Sequence, residues 1–215
     1  NTLTESGLQD DEIRHIIDNL DDVGVENKLF FSLNRKYRDH DKTFDEFAAQ
    51  RFSDIFLKAY YSCTSPRKRI KNLYTHQTEG INSILSGTNT VIATGTGSGK
   101  TETFLWPIVD YCIRNQGPGV KAIIVYPMNA LINSQTKELD GYKDNYKKAT
   151  GKDFPIKYAQ YTGQEKQEKR EEIREELPDI ILTNYMMLEL ILTRIQEKGI
   201  RDSIYSSLQY LVFDE

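Results

Sequence analysis

The sequence predicts an α/β fold: a parallel sheet with helices on both faces, preceded by a mostly helical segment. Three observations predict it. From Tyr74 onward, short β-type runs alternate with helical stretches, the pattern of a parallel sheet covered on both sides. A glycine-rich turn, TGTGSGKT at Thr94 to Thr101, stands between an apolar run and a helical pattern. A second apolar run, Leu211 to Phe213, carries Asp214 and Glu215 to its end, the edge where open α/β sheets hold ligands.

The first part of the chain reads as helical. Gly7 to Leu20 and Thr43 to Tyr61 are the expected helices, the second opening with a capping box of Thr43 and Glu46. Its Phe44, Phe47, Phe52, Ile55 and Phe56 fall at spacings that suit packing against a core. Ser65-Pro66 followed by RKRIK reads as a linker or the start of a short helix. A solvated connector is favoured there over a phosphate contact, because a short basic run is a weak signal. The expected boundary is therefore a helical appendage over 1–65 and an α/β unit over 66–215.

Within the α/β unit the expected strands are Thr90 to Ala93, Ala122 to Tyr126, Ile156 to Tyr161, Ile180 to Thr183 and Leu211 to Phe213. Between them come helices at Thr75 to Leu85, Lys100 to Arg114, Asn129 to Tyr142, Gln164 to Leu177 and Tyr185 to Glu197. The fourth of these is dominated by EKQEKREEIREE, a charge run that reads as a solvated face.

Composition bounds the function. The 215 residues suffice for one α/β domain with a modest appendage. A net charge of −4 excludes a histone-like binder but not a protein that grips a strand along one narrow track. Cys63 and Cys112 form no C-x-x-C pair, so neither a zinc site nor a disulfide framework is expected, and a reducing, cytoplasmic setting suits the chain. No apolar run reaches the roughly 18 residues of a membrane span, and no secretory leader pattern opens the sequence. The missing initiator Met and the end on Asp-Glu read as an excerpt of a longer protein.

The glycine-rich turn carries the chemistry. Gly95, Gly97 and Gly99 let backbone N–H groups turn inward around phosphate oxygens, and the helix that follows adds its positive end. Thr94, Thr96 and Ser98 complete the loop; Lys100 reaches the β- and γ-phosphates of ATP, and the Thr101 hydroxyl ligates Mg²⁺. Asp214 supplies the second hold on Mg²⁺, directly or through water, while Glu215 orients or activates the attacking water.

On these residues the chain resembles the DEAD/DEAH-type helicases of superfamily two over roughly Asn72 to Glu215. The departure from the strict P-loop consensus at Thr94, where Gly is usual, is itself similar to helicases. Asn72 to Gln77 looks like the Q motif, which implies that the Gln77 amide reads the adenine edge. Tyr126-Pro127-Met128-Asn129-Ala130-Leu131, continuing to Gln135, is similar to motif Ia; Thr183-Asn184 is similar to motif Ib, and Tyr161-Thr162-Gly163 to the small turn between them. The resemblance implies that Pro127, Asn129, Ala130, Gln135, Thr162, Gly163, Thr183 and Asn184 lie along successive phosphates of one strand, where contacts position without reading bases. Thr183 and Asn184 serve equally well as helix caps.

The resemblance also implies a RecA-like lobe of an ATP-driven helicase or translocase acting on single-stranded nucleic acid, DNA before RNA. A second RecA-like lobe in the full-length chain would supply the arginine finger, so one lobe alone should hydrolyse ATP poorly. YPMNALINSQ with ATGTGSGKTE is further similar to a bacterial helicase group with a cysteine-bearing C-terminal domain, found in DNA repair and in anti-phage systems such as DISARM and Druantia. That implies defence- or repair-complex subunits as partners. The rival reading is a nucleotide-gated scaffold in a multi-protein complex, which binds ATP and moves nothing. A small-molecule kinase ranks third, disfavoured by the motifs at Gln77 and Pro127.

Overall fold

The computed structural model describes residues 37–63 and 70–214. The expected helix at Gly7 to Leu20, the linker at Ser65-Pro66 and Glu215 lie outside the described residues. The described residues open with strand β1 (Asp39–Thr43), helix α1 (Phe44–Ala49) and helix α2 (Asp54–Cys63). The capping box is present: the Thr43 hydroxyl accepts from Glu46 N–H at 3.3 Å, and the Glu46 carboxylate accepts from Thr43 N–H at 2.9 Å. One helix was expected over Thr43 to Tyr61, but two form. Phe52 turns into the core at the break, and Ser53 restarts the chain, its hydroxyl accepting from Phe56 N–H at 3.2 Å.

Strand β2 (Asn72–Tyr74) pairs antiparallel with β1 and runs directly into α3 (Thr75–Leu85). The glycine-rich turn leads into α4 (Lys100–Arg114), then β3 (Ala122–Tyr126), α5 (Asn129–Thr150), β4 (Tyr158–Tyr161), α6 (Gln167–Glu176), β5 (Ile180–Asn184) and α7 (Tyr185–Thr193). A 3₁₀ turn (Ile195–Glu197), α8 (Lys198–Ser207) and β6 (Tyr210–Phe213) follow. The strands β3 to β6 form a wholly parallel sheet in the order β4-β5-β3-β6. This is the doubly covered α/β architecture of RecA-like domains.

Alternation of side chains along β3 builds two cores. Ala122, Ile124 and Tyr126 face one layer, with α1, α2, α4 and α5; Ile123 and Val125 face the other, with α7 and α8. The first layer buries Phe44, Phe56 and Trp106 together, Phe44 lying 5.1 Å from the Trp106 ring. Helices of the expected appendage and of the expected α/β unit therefore share one core, and the compact unit begins at Tyr37. Asp110 on α4 ties them: its buried Oδ1 accepts from Ser53 N–H at 2.8 Å, and Arg114 lies 2.7 Å from Oδ2.

Several further elements differ from expectation. Thr90 to Ala93 forms no strand. A strand needs a neighbour's hydrogen bonds, and a cavity of about 720 Å³ separates Thr90, Val91 and Ile92 from Leu211, Val212 and Phe213 of β6, leaving Val91 93% exposed. Helix α5 runs about two turns past Tyr142, because Tyr146 is buried beside Phe154, and stops at Gly151 with φ +69°. The helix from Tyr185 breaks after Thr193, where Glu197 turns inward to accept from the Tyr161 hydroxyl at 2.6 Å with Arg174 3.5 Å away. Strand β4 starts two residues later than expected, at Tyr158. Among the described residues no helix is long and apolar enough to cross a membrane.

Candidate functional site

The glycine-rich loop is bent by its glycines. Gly97 and Gly99 have φ of +71° and +77°, a region that side chains avoid, and Gly99 forms the N-cap of α4. A Cβ on Gly99 would stand 2.1 Å from Gln77 Nε2. Thr94 and Ser98 close the loop with a hydroxyl contact of 2.6 Å. Lys100 folds back over it, its ammonium donating to the carbonyls of Thr94 (2.9 Å) and Gly95 (3.0 Å). The loop is thus held shut by the cation that the sequence assigns to phosphate.

A cleft of about 530 Å³ opens above α4. Its lining includes Tyr74, Gln77, Thr96 to Thr101 and Asp214. Most of the residues assigned to phosphate and metal therefore share one cleft, Asp214 being carried there by β6 with its N–H bonded to Val125 O at 2.9 Å, while Thr94 and Gly95 line the cavity beside β6, which Lys100 and Asp214 also reach.

Gln77 is 3% exposed, and both ends of its amide are engaged: Oε1 accepts from Tyr74 N–H (2.9 Å), and Nε2 donates to Gly99 O (3.1 Å). In this state the amide braces the loop. His76 does likewise, with Nε2 2.9 Å from Ser98 O. His76 stacks on Tyr74, and Tyr37 packs against both rings at 5.1 and 5.3 Å. A Cβ on Gly95 would come within 2.6 Å of the Tyr37 hydroxyl. The sequence reading missed Tyr37 and His76; the signal for His76 was its place beside Gln77, and Tyr37 had none.

The residues assigned to a strand gather along the C-terminal edge of the sheet, with unequal access. Pro127, Ala130 and Gly163 are exposed, and Asn129 and Asn184 are partly so. Asn184 Nδ2 donates to Asn129 Oδ1 at 3.0 Å, joining the loops after β5 and β3, while its Oδ1 caps α7 by accepting from Met187 N–H. Thr183 is fully buried, and its hydroxyl donates to Tyr161 O at 2.7 Å. Thr162 is also buried, its hydroxyl accepting from Gln164 N–H. Gln135 is 6% exposed and donates to Glu138 at 3.1 Å. As they stand, these three side chains hold the edge together and do not reach solvent.

Glu138 has its carboxyl held above the ordinary value of 4.5, first by burial and then by the nearby Glu102 carboxylate, with the Gln135 bond partly offsetting both. The folded state therefore resists ionisation that the unfolded chain undergoes freely. Below the ordinary value both states are protonated and no cost arises; as pH rises through the raised value, the cost appears in full. Glu138→Gln keeps an acceptor for Gln135 and removes the charge. It should raise the melting temperature at neutral pH. Melting curves on both sides of pH 4.5 check this: the gain should vanish on the acid side.

Comparison with known proteins places these features in a family. The DEAD/DEAH box helicase model matches residues 74–215. The Druantia protein DruE of Escherichia coli is 39% identical over 104 residues, 42% of this chain and 6% of that protein. An uncharacterized ATP-dependent helicase of Methanocaldococcus jannaschii is 30% identical over 143 residues, 66% of this chain and 20% of that protein. Among solved structures, the DUF1998 helicase MrfA bound to DNA and AMPPNP superposes with a TM-score of 0.70 at 24% identity, over 94% of this chain and 25% of its own. The Mycobacterium smegmatis helicase Lhr bound to ssDNA and AMP-PNP does so at 0.62 and 25% identity, over 77% of this chain and 20% of its own. The chain spans a fifth or less of the length of these two curated relatives.

Proposed function

Because the chain belongs to the DEAD/DEAH box helicase family, we propose that it is the first motor lobe of an ATP-dependent nucleic-acid translocase, holding Mg-ATP in the cleft and one strand along the adjoining sheet edge. One observation carries this: Lys100, Thr101 and Asp214 line the same cleft, within a sheet whose next strand ends supply the exposed Pro127–Ala130 and Gly163 turns. Bound Mg-ATP would supply the phosphoanhydride and the cation that screens it. Lys100 would leave the Thr94 and Gly95 carbonyls for the phosphates, and Thr101 and Asp214 would hold the metal.

The strand side works mostly through backbone. With Thr183, Thr162 and Gln135 turned inward, we assign phosphate contact to the exposed turns and the N-terminal end of α5, where Asn129 and Ala130 present N–H groups. DNA is the favoured strand, supported by the DNA-bound MrfA and Lhr; the likeness to DruE supports a role in phage defence.

ATP hydrolysis by the full-length protein, measured with and without single-stranded DNA and RNA, tests the reading. Stimulation by a strand, greater with DNA, is the expected result. ATP-dependent binding to a protein partner without any stimulation would replace the motor with a nucleotide-gated scaffold.

A further inference from the structure

The parallel register brings three polar residues into one row across the sheet's C-terminal edge. Tyr126 pairs with Asn184 on one side. On the other, Val125 pairs with Phe213 and Asp214 N–H bonds Val125 O, so Tyr126 and Asp214 stand side by side at the ladder's end. Asn184 fastens the loops of the strand-facing edge, and Asp214 belongs to the ATP cleft. Tyr126 is the middle member. Its ring is 1% exposed in the first core layer, yet among the described residues its hydroxyl has no hydrogen-bond partner.

A buried hydroxyl left unpaired is a standing cost, and such groups persist where another state of the protein pairs them. The charges that act on this one are the Asp214 and Glu138 carboxylates. Burial, and then these two charges, push the phenol far above its usual ionisation range, so it stays a donor at any working pH. Of the two, Asp214 is the one that stands beside Tyr126 in the sheet register. Asp214 is the carboxylate that must be held still for the metal.

We propose that Tyr126 is a positioning residue: its hydroxyl donates to the Asp214 carboxylate when Mg-ATP is bound, tying the strand-facing edge of β3 to the metal end of the cleft. The inference rests on the nucleotide site assigned above and adds to it a residue that touches neither nucleotide nor strand. A hydrogen bond to a charged group is worth about a tenfold effect or more on the state it stabilises.

The test is Tyr126→Phe in the full-length protein, which keeps the ring and removes one oxygen. Binding of a fluorescent non-hydrolysable ATP analogue is titrated against Mg²⁺, without any strand. The Mg²⁺ concentration for half-maximal binding should rise about tenfold while metal-free binding of the analogue is unchanged. A merely structural role would lower the melting temperature and weaken both kinds of binding alike, and that result overturns the proposal, as does an unchanged Mg²⁺ dependence. As a second measurement, the same titration is made of Asp214→Asn with and without the Tyr126 change: no further loss supports the link, and additive losses refute it. Because no strand is present, absence of strand-stimulated hydrolysis would sink the motor reading and leave this result standing.

Discussion

Lys100→Ala in the full-length protein is expected to lower ATP hydrolysis by about 100-fold or more while the melting temperature stays close to that of the parent. The first half follows from the proposed role, in which Lys100 leaves its two carbonyl partners and its cation stabilises the β- and γ-phosphates. The second follows from where the lysine sits. It is the first residue of α4, at the positive end of the helix dipole, where a cation is unfavourable, so its loss costs the fold little. What does go are its two bonds to the Thr94 and Gly95 carbonyls, both on a partly open loop. Steady-state turnover together with thermal melts checks both halves. Turnover near the parent's rate would remove the P-loop assignment altogether.

Glu215→Gln should separate binding from hydrolysis. Glu215 lies outside the described residues, so the expectation comes from its place directly after Asp214. Asp214, Thr101 and the glycine-rich loop remain in the variant, so Mg-ATP should bind about as well as in the parent. On the proposed reading the lost carboxylate would orient the attacking water and accept its proton, so its removal should cost about 10² to 10⁴ in rate. Stalled in the ATP-bound state, the variant should release a labelled single strand more slowly when ATP is present than when it is absent. Parent-like turnover would mean that Glu215 is not the catalytic carboxylate. Loss of ATP binding would mean that its role and that of Asp214 are exchanged.

How far the sequence could be read depended on whether a signal was local. The glycine-rich turn was legible because phosphate binding imposes residue types at fixed spacing, and Gly97 and Gly99 do adopt the positive φ that only such residues accept readily. Strands β3 and β5 were legible as unbroken apolar runs, since both faces of the sheet are covered. The capping box at Thr43 was legible for the same local reason.

What escaped depended on partners distant in sequence. Strands β1 and β2 exist by pairing with each other across about 30 residues: β1 carries polar, mostly exposed side chains without apolar alternation, and β2 is three residues long with only Leu73 buried. Thr90 to Ala93 has the composition of a strand but no hydrogen-bonded neighbour. Thr183 and Gln135 have the residue types of strand contacts, yet burial decides what they touch, and burial is set by β4 and by Glu138. Tyr37 meets His76 only through the fold.

The opening beside β6 governs how this lobe behaves at high concentration. Among the described residues β6 is hydrogen-bonded on one edge only, and its Leu211 and Phe213 are 48% and 54% exposed. Across the cavity, Thr90 to Ala93 offers a second unpaired stretch of backbone with Val91 uncovered. A free edge flanked by large apolar side chains is a template for any extended segment that reaches it, and two such stretches facing one gap offer that segment bonds on both sides. This domain is thus expected to self-associate through this edge when it is uncovered, which sedimentation at rising protein concentration would show.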